Sequence, residues 1–317
     1  MTDLAVEKSP AHQPFQLGDP VEHRGVVVCP LFPLADPRAQ YLTLEEAIPR
    51  GLRIQEVDAS GTVPELRVVN PLTEHVLLYD GEELVGAKQN RILNVSVLVG
   101  AGTKLPIPVS CVEQGRWHNV GVDFRAAPHA AHPELRRRKA ESLRMEPLAR
   151  GLSQSEVWDE VREKNTRMDV HSMTGASADA YRRWEEPLLE LERAFPLQPG
   201  QAGAVLALGD SLCLDYVSRP AAFEHLYPKL LRGYMLDALE RMDRPSGKNV
   251  GGFVAEIASA QRTHRPSAGL GEDLRLESPG VIGSGLDLEG ELLQLSGFTS
   301  GRERRTFGRI ARPSRRA

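Results

Sequence analysis

Five short segments rich in apolar and β-branched residues follow one another between Leu52 and Glu113. They are LRIQEV, ELRVVN, HVLLY, ILNVSVLV and LPIPVSCVE, and turn sequences such as NPLTE (70–74) and GAGTK (100–104) separate some of them. Short strands at this spacing are typical of antiparallel β-structure. The pattern therefore predicts an antiparallel β-sandwich or a partly open barrel in the N-terminal part of the chain.

The segments on either side of this region predict further elements. RGVVVCPLF (24–32) predicts a buried strand, and YLTLEEAIPRGL (41–52) predicts a short helix with Thr43 as its N-cap. Residues 125–165 are rich in Ala, Arg, Glu and Leu, and they predict helices with a break near Gly151 and a cap at Ser153 or Ser155. Helices are also predicted over 177–195 and 220–242, and strands in AGAVLALGD, LCLDYVS, LRLES, VIGSGLDLEG and ELLQLSGF.

Strands and helices are segregated along the chain, which predicts an α+β fold. We expect the N-terminal antiparallel sandwich or barrel to be followed by central helices and a mixed β/α C-terminal part. The domain prediction is a flexible leader over 1–22, one large domain over 23–298, and a basic disordered tail over 299–317. The β-rich part of that domain covers about 23–122, and its helical and mixed part covers about 123–298.

Charge and hydropathy narrow the classes of function. The 39 Lys and Arg residues and 43 Asp and Glu residues give a net charge of -4, which argues against general nucleic-acid binding. The tail GRERRTFGRIARPSRRA is the exception, because its seven arginines suit an acidic partner such as RNA or DNA, although a solvated end is the commoner outcome. The sequence lacks an apolar run long enough for a membrane span and a signal-peptide centre, so a cytoplasmic location is predicted.

Cysteine and histidine usage predicts neither a disulfide framework nor a metal site. The cysteines are Cys29, Cys111 and Cys213, which are far apart in the sequence, and the chain has no HExxH pattern. The segment LVGAGTKLP does not match a phosphate loop, because Thr103 separates Gly102 from Lys104 and a strand follows. The use of a cofactor stays open.

The stretch DGEELVGAKQNR (80–91) concentrates acids, cations and amides between two apolar segments. Cations suit phosphate or carboxylate, and amides suit a ribose or a base edge. A glutamate suits a general base, a metal ligand or a cation's partner. The side chains concerned are Glu82, Glu83, Lys88, Gln89, Asn90 and Arg91. The same composition also fits a cross-strand ladder of ion pairs, so a binding site and a salt-bridge ladder are both consistent with it.

The geometry of this stretch depends on whether it is extended. In an extended strand alternate side chains share a face. Lys88 and Asn90 would then lie on one side, and Gln89 and Arg91 on the other. Lys88 and Arg91 can therefore converge only if the chain bends near Gly86, where glycine permits a bulge.

A second polar cluster, SCVEQGRWHN (110–119), ends the last of the five segments. Trp117 suits stacking on a ring, Arg116 suits an anion, and Glu113 suits a general base. Cys111 is either an activated thiolate beside a cation or, more commonly for cysteine, a buried apolar residue. A third group, Asp210, Asp215 and Arg219, fits either a site or an ordinary turn, strand and helix entry.

The segments DGEELVGAKQNRILNVSVLV, IPVSCVEQGRW and LCLDYVSRPAAFEHLYPKLLRGY together resemble one family. It is the ADP-ribosylglycohydrolase and rhodanese-phosphatase-superfamily-associated protein domain family, and the resemblance extends from about Gly25 to Phe298. The resemblance implies a role near ADP-ribose or NAD metabolism, by association with its enzymes. It brings no established catalytic residues to these positions.

Two hypotheses of function follow. In the first, the protein binds or processes a phosphate-bearing nucleotide such as ADP-ribose, and Glu83 or Glu113 is the catalytic base. The expected ligand-binding residues are Glu82, Lys88, Gln89, Asn90, Arg91, Arg116 and Trp117, with the cations on the diphosphate and the indole stacked on a ring. In the second, the protein is a non-enzymatic interaction module that docks on a partner enzyme. The sequence does not decide whether the protein is an enzyme.

Overall fold

A computed structural model describes residues 13–58, 64–118, 120–145, 153–243 and 249–300. In chain order the strands are β1 (Phe15–Leu17), β2 (Val21–His23), β3 (Val26–Pro33), β4 (Tyr41–Thr43), β5 (Arg53–Glu56), β6 (Glu65–Val69), β7 (His75–Leu78), β8 (Glu82–Gly86), β9 (Arg91–Leu93), β10 (Val97–Val99), β11 (Lys104–Cys111), β12 (Phe124–Ala130), β13 (Gly203–Leu208), β14 (Ser211–Val217), β15 (Gln261–Pro266), β16 (Glu272–Glu277), β17 (Val281–Leu288) and β18 (Glu291–Thr299). The helices are α1 (Leu44–Ala47), α2 (Pro133–Met145), α3 (Gln154–Arg167), α4 (Ala178–Arg183), α5 (Glu185–Glu192), α6 (Pro220–Ala238) and α7 (Val250–Ser259), with a 3₁₀ turn at Ile48–Arg50.

The described strands form three sheets. The largest has the order β1-β3-β13-β14-β18-β17-β16-β15, with β2 added beside β3, and a second has the order β12-β8-β9-β11-β6-β5. The third sheet has the order β10-β7-β4, in which β4 and β7 run parallel. Helix α6 packs against strands of all three sheets, among them β12, β13 and β4. The predicted α+β class is confirmed.

The β-rich part and the helical and mixed part of the sequence do not form separate units in the structure. Strand β3, from the N-terminal β-rich part, pairs along its length with β13, which follows the central helices. Conversely, β12 pairs with β8 and completes the edge of the second sheet. The described part of the predicted leader, residues 13–22, carries β1 and the start of β2, and Phe15 is buried. Residues 1–12, the break near Gly151 and residues 301–317 of the predicted basic tail lie outside the described residues.

Helix caps account for two of the boundaries that the sequence predicts. The Thr43 side chain accepts a hydrogen bond from the Glu46 amide, and the Glu46 carboxylate accepts one from the Thr43 amide, which forms a capping box. Ser153 and Glu156 form the same arrangement at the start of α3, so Ser153 is the cap that the sequence left undecided with Ser155. Gly51 ends the first helical segment with a φ of 116°, a region that glycine adopts readily.

Four secondary-structure predictions need correction. The predicted helix over 125–165 begins too early, because residues 124–130 form β12, where Pro128 is tolerated at the sheet edge. The predicted strand ILNVSVLV is two strands, since β9 joins the second sheet and β10 the third. The predicted helix over 177–195 is interrupted at Trp184, and YLTLEEAIPRGL begins as strand β4. Strand β15 and helix α7 are additional elements of the structure.

None of the described helices combines the length and apolar character that crossing a lipid bilayer requires. The cytoplasmic location stays a prediction.

A buried ion pair joins helix α2 to strand β14 of the largest sheet. Arg136 on α2 and Asp215 on β14 are both fully buried, and the guanidinium donates two hydrogen bonds of 2.8 Å and 2.6 Å to the carboxylate. The hydroxyl groups of Tyr79 and Tyr234 donate to the same carboxylate at 2.7 Å and 2.5 Å. Ser296 adds a hydrogen bond at 2.9 Å. Burial lowers the pKa of Arg136, but the charge and hydrogen bonds of Asp215 outweigh it, so the net pKa is raised and the guanidinium stays charged.

The change Asp215→Asn is expected to lower the free energy of unfolding by about 3–5 kcal/mol, because it removes the bidentate counter-charge of Arg136 and leaves the more distant Asp80, 3.6 Å from its Nε. Urea denaturation measures the change. The matched control is Asp159→Asn, which removes the same charge from an exposed pair with Arg162 on α3 and is expected to have a small effect. Equal losses for the two variants would contradict the structural role of the buried pair.

Candidate functional site

The three acids of DGEE contact three different parts of the fold. Asp80 accepts a hydrogen bond of 2.7 Å from Lys139 on α2. Glu82 accepts one of 3.1 Å from Lys229 on α6 and one of 2.9 Å from the Tyr79 amide. Glu83 alternates to the other face of β8 and lies 3.0 Å from the Nε2 of His129 on β12. The motif therefore anchors β8 to two helices with Asp80 and Glu82.

The chain bends sharply after β8. Gly86 has a φ of 138° and Ala87 a φ of 38°, so residues 88–90 are not extended and β9 begins only at Arg91. A Cβ atom at position 86 would lie 2.9 Å from the Asp123 carbonyl oxygen, which is closer than real Cβ contacts. Glycine is therefore required here by both the backbone conformation and the close approach of the neighbouring strand. The bend that Gly86 was expected to permit is present.

The bend does not bring Lys88 and Arg91 together around a ligand. Arg91 is fully buried, its NH1 donates to Gln89 Oε1 at 2.8 Å, and its closest carboxylate is Glu56 at 3.9 Å. Its Nε and NH2 atoms have no hydrogen-bond partner in the described part of the chain. Lys88 instead lies over the ring of Trp117, with 5.3 Å between Nζ and the ring centroid. Trp117 is half exposed.

Arg116 holds the bend in place. Its Nε donates to Glu113 Oε2 at 2.8 Å, and its NH2 donates to Asn90 Oδ1 at 3.0 Å. Its NH1 donates to the Ala87 carbonyl at 2.8 Å, and weaker bonds reach the carbonyls of Gly86 and His118. All three guanidinium nitrogens are thus used by the protein itself. Arg116 organises the site and has no nitrogen without a protein acceptor.

Asn90 connects the two glutamates that the sequence proposes as bases. Its amide Nδ2 donates to Glu83 Oε1 at 3.2 Å, and its backbone N–H donates to Glu113 Oε2 at 3.2 Å. Gln89 ties the same turn to the second motif by donating to the Glu113 carbonyl at 2.9 Å. The two polar motifs of the sequence therefore form one hydrogen-bonded unit.

Glu113 is held as an anion. Partial burial raises its pKa, but the hydrogen bond and charge of Arg116 and the amide of Asn90 lower it by more, so the net pKa lies below the ordinary 4.5. Thr174 also donates to its other oxygen at 3.1 Å. A carboxylate that is already paired in this way is a weak proton acceptor near neutral pH.

A cavity of about 400 Å³ lies beside this unit. Of the side chains proposed from the sequence, Asn90, Glu113 and Arg116 line it. The remaining six do not line it: Glu82, Glu83, Lys88, Gln89, Arg91 and Trp117. Its apolar walls come from Val85, Val120 and Pro128, and a mostly apolar cavity of this size with a few polar groups is typical of small-molecule sites.

Sequence reasoning missed five polar residues that line the cavity: His129, Tyr181, Arg182, Glu185 and Arg232. His129 was hidden because residues 125–165 were interpreted as helical. The others come from α4, α5 and α6, where no local motif marks them. Their shared position arises only when α4 and α6 pack beside β12.

The aromatic pair in this set is closely packed. The rings of His129 and Tyr181 are stacked, with centroids 3.8 Å apart and an interplanar angle of 16°. The Tyr181 hydroxyl donates to the Ala130 carbonyl at 2.7 Å. Burial and then the charge of Glu83 raise the pKa of Tyr181 well above 10.0, so its phenol stays protonated and fixes the ring.

Arg182 on α4 and Arg232 on α6 differ from Arg116 in how many of their guanidinium N–H groups can still donate to a ligand. Among the described residues, the one hydrogen bond that Arg232 donates to the protein runs from its Nε to Glu192 at 2.9 Å. Arg182 is largely exposed and pairs with Asp179 one helical turn away, an interaction that water and salt weaken. Both therefore retain N–H groups that can donate to an anion in the cavity.

Cys111 is fully buried, and burial raises the pKa of its thiol. Its backbone N–H and C=O exchange hydrogen bonds with the Gln154 side chain at 2.8 Å and 2.7 Å. Arg91, its partner on β9, lowers the pKa of the thiol by less than burial raises it, so Cys111 matches the buried, structural alternative despite the neighbouring cation. Among the described residues, no group of three or more His, Cys, Asp and Glu side chains is arranged to hold a metal ion.

The change Arg116→Gln is expected to lower the melting temperature near neutral pH, with a difference from wild type that narrows below about pH 4.5. A carboxyl whose pKa is lowered by folding stabilises the fold above its unfolded pKa and loses that contribution as the pH falls through its folded pKa. Thermal unfolding at a series of pH values measures the difference, with Arg162→Gln on the exposed face of α3 as the control. A difference that does not depend on pH would contradict the Arg116–Glu113 pairing.

Comparison with known proteins identifies one family. The model of the ARG and Rhodanese-Phosphatase-superfamily-associated Protein domain matches residues 14–298, a range that contains the cavity and both polar motifs. Searches of curated proteins and of solved structures find no match. The family expected from the sequence motifs is thereby confirmed. The chain belongs to the family of the ARG and Rhodanese-Phosphatase-superfamily-associated Protein domain.

Proposed function

We propose that the cavity binds a phosphate-bearing nucleotide of the ADP-ribose class. The observation that carries the proposal is the pair of arginines, Arg182 and Arg232, which line one cavity together with the Asn90 hydrogen-bonded unit. The family name supports the ligand class, since ARG stands for ADP-ribosylglycohydrolase and links the family with ADP-ribose metabolism.

The cations proposed to bind the diphosphate are therefore not the ones expected from the two polar motifs of the sequence. Arg91 is buried, and Arg116 is fully engaged. Within the described ranges Arg232 has one nitrogen bonded to Glu192, and its other two guanidinium nitrogens can donate to a ligand. Arginine donates to phosphate oxygens in a planar, bidentate manner, which suits a diphosphate. Arg182 contributes a second positive charge from α4 at the exposed side of the cavity.

Other lining groups suit the remainder of such a ligand. The carboxylate of Glu185 accepts hydrogen bonds and suits the hydroxyl groups of a ribose. Val85, Val120 and Pro128 offer apolar surface to a base. A volume of about 400 Å³ lies within the range of small-molecule sites, roughly 300–1,000 Å³.

The change Arg232→Gln is expected to weaken ADP-ribose binding about 10- to 100-fold, because it removes charge-assisted hydrogen bonds to phosphate. Isothermal titration calorimetry measures the dissociation constant. Arg193→Gln is the matched control, since it makes the same charge change at an exposed position outside the cavity lining. Adenosine, which has no phosphate, should bind both variants alike. Absence of ADP-ribose binding at millimolar concentration, or equal weakening by the two variants, would refute the proposal.

A second candidate function is docking on a partner enzyme, and one observation favours it. Trp117, Val120 and Val122 are 50%, 57% and 75% exposed within one short segment at the edge of the cavity. Exposed apolar groups that cluster in this way are typical of interaction surfaces.

The double change Trp117→Ser and Val122→Ser is expected to abolish a complex with an ADP-ribosylglycohydrolase-superfamily enzyme encoded beside this protein, if docking is the function. Analytical ultracentrifugation of the mixture measures the complex. Leu34→Ser is the control, because Leu34 is 60% exposed and follows β3, away from this segment. A mixture in which wild type and enzyme sediment separately would eliminate the candidate.

A further inference from the structure

The most unusual pair at the cavity is Glu83 with His129. The Glu83 side chain is fully buried behind the histidine, and the His129 side chain is 5% exposed and lines the cavity. A distance of 3.0 Å joins Nε2 of the imidazole to Oε2 of the carboxylate. The other carboxylate oxygen accepts the hydrogen bond from Asn90 at 3.2 Å.

This arrangement selects one tautomer of the imidazole. A carboxylate accepts hydrogen bonds, so the ring nitrogen that faces it, Nε2, carries the proton. The second nitrogen, Nδ1, is then a proton acceptor, and it has no hydrogen-bond partner in the described part of the chain. Because the ring lines the cavity, Nδ1 is the group of this pair that can accept a proton from a molecule bound there.

The ring is held in one orientation by its neighbours. Tyr181 stacks on its face at 3.8 Å, and Glu83 fixes its Nε2 edge. A base that is oriented by a carboxylate on its far side follows the same logic as the histidine of a catalytic triad.

We propose that His129 is the general base of a hydrolytic reaction at a phosphate of the bound nucleotide, with Glu83 as its positioning residue. The inference rests on the proposed function, because it requires that the nucleotide occupies the cavity.

The distribution of charge favours phosphate over the glycosidic bond as the reacting group. Glycoside hydrolysis normally uses two carboxyl groups that flank the bond. Here Glu83 lies behind His129, and Glu113 is paired with Arg116 and Thr174. Among the described residues that line the cavity, Glu185 is the one remaining carboxylate, and it has no second carboxyl group with which to flank a glycosidic bond. An imidazole base together with Arg232 instead suits attack on phosphorus, where a guanidinium stabilises the charge that develops on the phosphoryl oxygens.

Hydrolysis breaks the bond between one phosphorus of the diphosphate and the bridging oxygen. A water molecule attacks one phosphorus of the diphosphate, and its oxygen forms a new P–O bond while its proton passes to Nδ1 of His129. The bond from that phosphorus to the bridging oxygen breaks, and the electron pair stays on the oxygen, which leaves with the other phosphate. ADP-ribose would give AMP and ribose 5-phosphate. The imidazolium then returns its proton to solvent.

The test measures binding and hydrolysis of ADP-ribose separately, by calorimetry and by chromatography of the products. His129→Ala is expected to reduce the hydrolysis rate about 100- to 10,000-fold with a nearly unchanged dissociation constant, which is the range for loss of a general base. Added imidazole should restore part of the rate, because it can occupy the space left against Tyr181. His225→Ala, at an exposed histidine on α6, is the control and should keep the wild-type rate.

The NMR spectrum of the ¹⁵N-labelled histidines of the wild-type protein provides a readout that requires no variant to fold, and the Glu83→Gln variant adds a comparison. The wild-type His129 ring should carry its proton on Nε2, whereas Glu83→Gln should populate both tautomers, since an amide can donate as well as accept. A proton on Nδ1 in wild type, or an unchanged rate in His129→Ala, overturns the inference. Binding without release of AMP also overturns it and leaves the proposed function intact, whereas absence of binding removes both.

Discussion

Arg136 and Asp215 form a bidentate ion pair without access to water, and the relative placement of helix and sheets depends on it. Water cannot reach this pair, so other groups of the protein must supply the hydrogen bonds that stabilise its two charges. Tyr79, Tyr234 and Ser296 do so from the segment between β7 and β8, from α6 and from β18. One interaction therefore fixes α2 and α6 relative to the large sheet.

The position of β8 follows from this arrangement and determines the site. Asp80 and Glu82, at the start of the strand, are bound to Lys139 on α2 and Lys229 on α6. Glu83 is left to face β12, where it meets His129. The bend at Gly86 then returns the chain so that Asn90 bonds to Glu83 from the other side. The acids of DGEE thus serve as anchors for the fold and, at one position, as part of the cavity's polar unit.

Local signals in the sequence predicted the local features of the fold. The cap at Thr43 and four of the five strand segments between residues 52 and 113 depend on neighbouring residues, so the sequence alone located them. The sequence left the cap of α3 undecided between Ser153 and Ser155, and it did not separate β9 from β10. Strand β12 was missed because its alanines favour helix, while its actual conformation comes from pairing with β8 across about forty residues. Because this strand was predicted as helix, His129 was not recognised as a candidate site residue.

Only part of the site could be predicted from the sequence, because residues that are distant in the sequence also form it. The two polar motifs do meet, and Asn90, Glu113 and Arg116 line one cavity. Residue type alone cannot show that Arg91 is buried or that every nitrogen of Arg116 is occupied. Nor does it reveal that two further arginines of the cavity come from α4 and α6, since tertiary packing alone brings Arg182 and Arg232 there.

A crystal structure of the protein soaked with ADP-ribose would test the assignment of the cavity most directly. The expected result is a diphosphate within hydrogen-bonding distance of the Arg232 guanidinium, with Nδ1 of His129 directed toward one phosphorus. A nucleotide bound at the surface formed by Lys88 and Trp117, with the cavity beside His129 vacant, would contradict it.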